Sequence, residues 1–131
     1  MIDDDARCPC GTGENYGACC GRFHRGRTAP TAELLMRSRF SAFAAGDEAY
    51  LLATWHPGTR PGSVALDPDV DWYRLDVHAA DGGGPFAREG RVEFSAHWRD
   101  GSGRRGRQRE SPASRFVRED GRWFYVDGSP A

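Results

Sequence analysis

Residues 32–55 read AELLMRSRFSAFAAGDEAYLLATW. Thr31 stands before them as an N-cap, and Glu33 falls in the first turn, where a carboxylate suits the helix dipole. Gly46 supplies a C-terminal stop. Asp47 then caps a second helix running to Trp55, which Pro57, Gly58 and Pro61 end. At about 100° per residue, Leu35, Met36, Phe40, Ala42 and Phe43 share one broad face of the first helix. Arg39 falls in the middle of that face, and Arg37 falls on the opposite side, toward solvent. A guanidinium is costly to bury unpaired, so Arg39 needs either a carboxylate partner or a polar cavity.

Beyond Pro68 the period changes to two. DWYRLDVHA, residues 71–79, alternates Tyr73, Leu75 and Val77 against Trp72, Arg74, Asp76 and His78. RVEFSAHW, residues 91–98, alternates Val92, Phe94, Ala96 and Trp98 against Glu93, Ser95 and His97. Asp120-Gly121, between RFVRE and RWFYVDG, is a strong hairpin signal, and Asp100-Gly101 joins Trp98 to an arginine-rich strand at 104–110. Two helices followed by four or five antiparallel strands predict an α+β fold, with helices packed on one face of a curved sheet. ESPAS, residues 110–114, reads as a small insertion before the final hairpin.

Upstream, CPCGTGENYGACC spans residues 8–20 and holds all 4 cysteines of the 131-residue chain. Four thiolates in two short clusters surround one Zn²⁺ tetrahedrally at about 2.3 Å. Gly11 and Gly13 permit the positive-φ turns that aim backbone N–H groups at sulfur. Cys8, Cys10, Cys19 and Cys20 are therefore the expected ligands of one structural zinc, closed to substrate because no position is left open. Arg7, Arg22 and Arg25 are near enough in sequence to offset the site's negative charge. His24, four residues after Cys20, is the alternative ligand.

The 18 basic residues are all arginine and face 19 acids, for a net charge of -1, so charge gives no reason to expect nucleic acid as a partner. No apolar run approaches the roughly 20 residues of a membrane span, and the acidic start MIDDDAR lacks a secretory core. The expected location is the cytoplasm, whose reducing conditions favour metal over disulfide for clustered cysteines.

The cysteine stretch, Cys8 to Gly21, resembles the SEC-C motif, with all four ligands, both glycines and Tyr16 in place. That resemblance implies zinc, with iron as the other occupant, and docking to protein partners such as the SecB chaperone or the ribosome. Residues 29–61 resemble the YchJ-like family of small SEC-C proteins, and SRFVREDGRWFYVDG, residues 114–128, is similar to its C-terminal hairpin. The resemblance implies an NTF2-like cone at 28–131 fastened to a knuckle at 1–27, and the short polar linker at Arg25 to Pro30 predicts that the cone folds without the knuckle. Such cones often enclose a pocket and often pair through their sheets, which extends to a homodimer here.

Two functions follow. The first is an accessory protein whose knuckle docks a chaperone or ribosome-like assembly. The alternative is a small-molecule enzyme of isomerase, dehydratase or hydrolase type, using a pocket with Arg39 and a histidine. His56, at the end of the second helix, and the strand pair Glu93 and His97 are the acid–base candidates, as are Asp76 and His78 on the neighbouring strand. Trp55, Trp72, Trp98 and Trp123 serve either a pocket or the core. Arg104, Arg105, Arg107 and Arg109 form a charged edge that resists further strand pairing.

Overall fold

A computed structural model describes residues 2–128, with side chains described throughout except at 109–113. A 3-10 turn at Tyr16–Ala18 and helix α1, Cys20–His24, belong to the N-terminal knuckle. Helices α2, Ala32–Ala45, and α3, Glu48–Ala53, follow. Strands β1, Val70–Gly82, β2, Glu89–Asp100, β3, Arg105–Glu119, and β4, Arg122–Asp127, form one antiparallel sheet in the order β1-β2-β3-β4.

The starts of α2 and α3 and the end of α2 are where the sequence puts them. Thr31 Oγ1 accepts from the Leu34 amide at 3.1 Å, and Asp47 Oδ1 accepts from Tyr50 at 3.1 Å. Gly46 closes α2 in the left-handed region, φ 73°. Helix α3 stops at Ala53, short of Trp55, because the chain there leaves to pair with β4. The Tyr125 amide donates to Thr54 O at 2.9 Å and the His56 amide to Tyr125 O at 2.8 Å. These bonds outweigh one more helical turn on a segment about to meet Pro57.

The final hairpin turns at Asp120 and Gly121, φ 53° and 77°, the pair of positive angles a type I′ turn requires. Four register shifts bend the ladders, at Trp72/Arg74, Val77/Ala79, Val92/Phe94 and Arg115/Phe116. The shift at Val92/Phe94 absorbs the expected insertion, since β3 passes from Ser114 to Glu110 while β2 advances two residues. The insertion is thus a bulge within β3; the side chains of its residues 110–113, like that of Arg109, lie outside the described part.

The first shift corrects the strand's expected faces. It leaves Tyr73 unpaired and lets Trp72 and Leu75 share the side toward the helices. Trp72 packs on Phe40 and Phe43, ring centroids 6.4 and 6.2 Å apart. Tyr73 turns to the outer face, under the guanidinium groups of Arg99 and Arg105. One buried cluster joins the four cysteines, Phe23, Leu35, Met36, Phe40, Leu75, Val92, Phe116 and Trp123. Among the described residues, no helix is long and apolar enough to cross a membrane.

Candidate functional site

The four cysteine sulfurs lie within 4.8 Å of one another, all buried and none in a disulfide. Thiolates at about 2.3 Å from a tetrahedral ion stand about 3.8 Å apart, and Cys10 and Cys19 are 3.6 Å apart. Hydrogen bonds from Cys10 and Cys8, with burial, push the Cys20 thiol far up, while hydrogen bonds from Cys10 and Cys20 hold the Cys8 thiolate. The cluster alone therefore keeps protons shared between sulfurs. Four thiolates coexist there only around a cation, so the donor set fits a structural divalent metal.

His24 is committed elsewhere. Its Nε2 donates to Ser38 O at 2.8 Å, which leaves Nδ1 to accept the Tyr16 hydroxyl. Both nitrogens are used in joining α1 to α2. Arg22 Nε donates to Cys19 O at 3.0 Å, as its position suggests, whereas Arg25 pairs with Asp4. Arg37 corrects a sequence expectation. Its Nη1 donates to Cys10 O at 2.6 Å and its Nε to Glu33 at 3.0 Å, so it faces the knuckle instead of solvent. The knuckle covers the side of α2 that a helical wheel takes to be exposed. Cys8 Sγ meets Ser41 Oγ at 3.5 Å on the same side.

On its other side α2 roofs a cavity of about 230 Å³ over the sheet. Met36, Phe40 and Phe43 come from α2, and Trp72, Phe94, Ala96 and Phe116 from the strands; Gln108, Ser114 and Tyr125 complete the strand wall. Arg39, 6% exposed, lines it with Trp55. Arg39 Nη1 donates to Leu51 O at 2.8 Å and to Thr54 Oγ1 at 2.7 Å. Its carbon lies 4.6 Å from the Tyr125 ring centroid and 5.1 Å from that of Trp55. Desolvation lowers its pKa to about 10, which still leaves a full cation at neutral pH. Among the described residues it has no ion pair with a carboxylate.

With both sites in view, the comparisons decide the family. The model of the YchJ middle NTF2-like domain matches residues 31–128, and that of the SEC-C motif matches residues 6–22. The chain belongs to the YchJ family. Relatives in this family carry the name UPF0225. One from Corynebacterium efficiens is 53% identical, over 98% of this chain and 97% of its own. Another, from Chromobacterium violaceum, is 52% identical over 94% and 92%. The solution structure of RPA3114, a SEC-C motif containing protein from Rhodopseudomonas palustris, matches with TM-score 0.80 at 33% identity. It covers 95% of this chain and 98% of that one. The crystal structure of a SEC-C motif containing protein from Psychrobacter arcticus gives TM-score 0.78 at 26% identity, over 100% and 86%.

Within this YchJ-type domain the acid–base candidates stand apart from the cavity. His56 Nε2 pairs with Glu119 at 2.9 Å, and its Nδ1 accepts from the Gly58 amide at 3.0 Å. His97 Nε2 meets Asp76 Oδ2 at 2.8 Å across β1 and β2, on the outer face that also bears Glu93. Desolvation raises the Asp76 carboxyl, but hydrogen bonds from His97 and Arg74 together hold it below the ordinary range. His78 Nε2 instead bonds Ser95 Oγ at 2.7 Å. The carboxylate–histidine pairing is therefore between strands, where the register shifts place it, and not along one strand. Of the four tryptophans, Trp55 and Trp72 line the cavity, while Trp123 is core, donating from Nε1 to Pro30 O at 3.2 Å.

Sequence reasoning missed Ser114 and Tyr125 as wall residues. A signal existed for the pairing of β2 with β3. Gly106 is the second residue of β3, and a Cβ there would meet the Trp98 ring at 2.4 Å, the close approach that a glycine within a strand marks. Arg104, Arg105 and Arg107 are exposed, as a charged strand requires.

Proposed function

We propose that this YchJ-family chain is a small-molecule-binding protein, and that a zinc ion in its knuckle holds α2 in place over the binding cavity. One observation carries the reading: the aromatic cavity encloses a buried arginine with no carboxylate partner among the described residues. Pockets that hold small ligands are concave, mostly apolar and furnished with few polar groups. The metal supports this by rigidity. Arg37, Ser41 and His24 tie the knuckle to the same helix that presents Arg39. Zinc suits four buried thiolates better than a harder ion, and free thiols favour the cytoplasm as the location.

Acid–base catalysis has less support, because the described lining contains no histidine or carboxylate to move a proton. Partner docking is a second reading. Residues 11–15, beside the metal site, are all exposed and polar or glycine, and would form the contact loop.

The test uses the metal-loaded full chain with a panel of neutral and charged aromatic fragments, read by amide and indole NMR. Shifts gathered at Phe40, Trp55, Trp72, Phe116 and Tyr125 are expected. Shifts confined to residues 11–15, or none at all across the panel, would defeat the cavity reading.

A further inference from the structure

Two buried polar atoms lack hydrogen-bond partners among the described residues, Trp55 Nε1 and Ser114 Oγ. Both belong to residues that line the cavity. Buried donors are rarely left unpaired, and each costs roughly 1–3 kcal/mol where nothing else meets it. They share the cavity with Arg39, whose Nη1 is fully used by Leu51 O and Thr54 Oγ1. Its Nε and Nη2 donate to no described residue, although Arg39 as a whole is buried. Trp55 and Tyr125 crowd one side of it, their ring centroids 5.1 and 4.6 Å from its carbon and 5.1 Å from each other, and the unused Nε–Nη2 edge is the fork that suits a carboxylate.

From this arrangement we infer that the cavity takes a small aryl carboxylate, its carboxylate on the free edge of Arg39 and its ring among Phe40, Trp72 and Phe116. This rests on the cavity reading above and adds the ligand's charge and class. An anion offsets a buried cation that the described chain leaves uncompensated. A single guanidinium with two neutral donors matches one negative charge, and the apolar remainder of the lining matches a ring. The size agrees. An engineered apolar cavity of about 150 Å³ holds benzene, and about 230 Å³ leaves room for the carboxylate.

Benzoate, benzamide and benzamidine share a shape and differ in charge, so they isolate the inference. Titrated into the metal-loaded full chain by calorimetry, benzoate is expected to bind at least about tenfold more tightly than benzamide. Benzamidine should be weakest, and benzoate should shift the Trp55 indole N–H resonance. Arg39→Met should abolish the preference for benzoate. Trp55→Phe and Ser114→Ala, which spare the guanidinium, should each weaken benzoate by about threefold to tenfold. Equal binding of benzoate and benzamide, unchanged in Arg39→Met, would overturn the charge inference while leaving a cavity that binds rings. Binding by none of the three, with no Trp55 shift, would overturn both.

Discussion

The two sides of α2 bury polar groups in opposite ways. Against the knuckle, Ser38, Ser41, Arg37 and the nearby His24 each have a bonding partner, and Tyr50 joins them through Ser38 at 2.7 Å. Burial pushes the Tyr50 hydroxyl up to about 12, so it serves there as a neutral group. Against the sheet, Trp55, Ser114 and one edge of Arg39 lack partners among the described residues. The contrast teaches how to separate structural from functional polarity in a chain of this size. A satisfied network fixes one packing, and a half-satisfied one beside a void awaits another molecule.

Removing the metal should break the satisfied side completely. Structural zinc supplies about 10–16 kcal/mol in small modules, as much as most domains have in total. Chelation under reducing conditions should therefore lower the melting temperature by roughly 15 °C or more, and metal analysis of the untreated protein should give about one ion per chain. A melt unchanged by complete metal removal would show that the hydrogen bonds alone secure α2. Deleting residues 1–27 should have a comparable effect, since it strips the covered side of the helix; circular dichroism of 28–131 reads this directly.

Arg37→Ala tests one member of that network without touching the metal ligands. It leaves Cys10 O without its donor and should cost about 1–3 kcal/mol in urea unfolding. On the outer sheet face, Asp76→Asn should cost less than about 1 kcal/mol, as part-exposed pairs do. The sign of its pH dependence follows from the lowered folded pKa of Asp76. The pair stabilises the fold above the ordinary carboxylate value of 3.8 and loses that contribution as pH falls below it. The difference between wild type and Asp76→Asn should narrow toward zero at low pH, and a gap that widens there would contradict the assignment.

Arg39→Met should have the smallest effect on stability, about 1 kcal/mol or less in either direction. Leu51 O keeps a hydroxyl at 3.3 Å from Thr54, so the loss of the guanidinium orphans little. A large loss would place Arg39 with Arg37 as a structural group and erase the contrast between the two sides.

Much of this was legible in the residues. Thr31, Gly46 and Asp47 carry their caps locally, the Asp120-Gly121 turn is a two-residue signal, and the cysteine spacing defines its own cluster. The parts that escaped depend on distant chain. Arg37 reads as solvent-facing because nothing in α2 announces that residues 8–10 will cover it. Simple alternation sets Trp72 opposite Leu75, because nothing in the residues announces the bulge at Tyr73 that brings the two to one face. The pairing of Asp76 with His97 needs the register of two strands, and the cavity needs a bend in all four.

The short bridge between Trp55 and Tyr125 has a consequence in time. Its two backbone bonds tie the end of α3 to β4, and the rings of the same two residues pack against the Arg39 guanidinium. Any widening of the cavity on that side must break them first. The amide protons of His56 and Tyr125 are therefore a clock for entry: their exchange with deuterated solvent reports how often the site opens, and a bound ligand should slow both together.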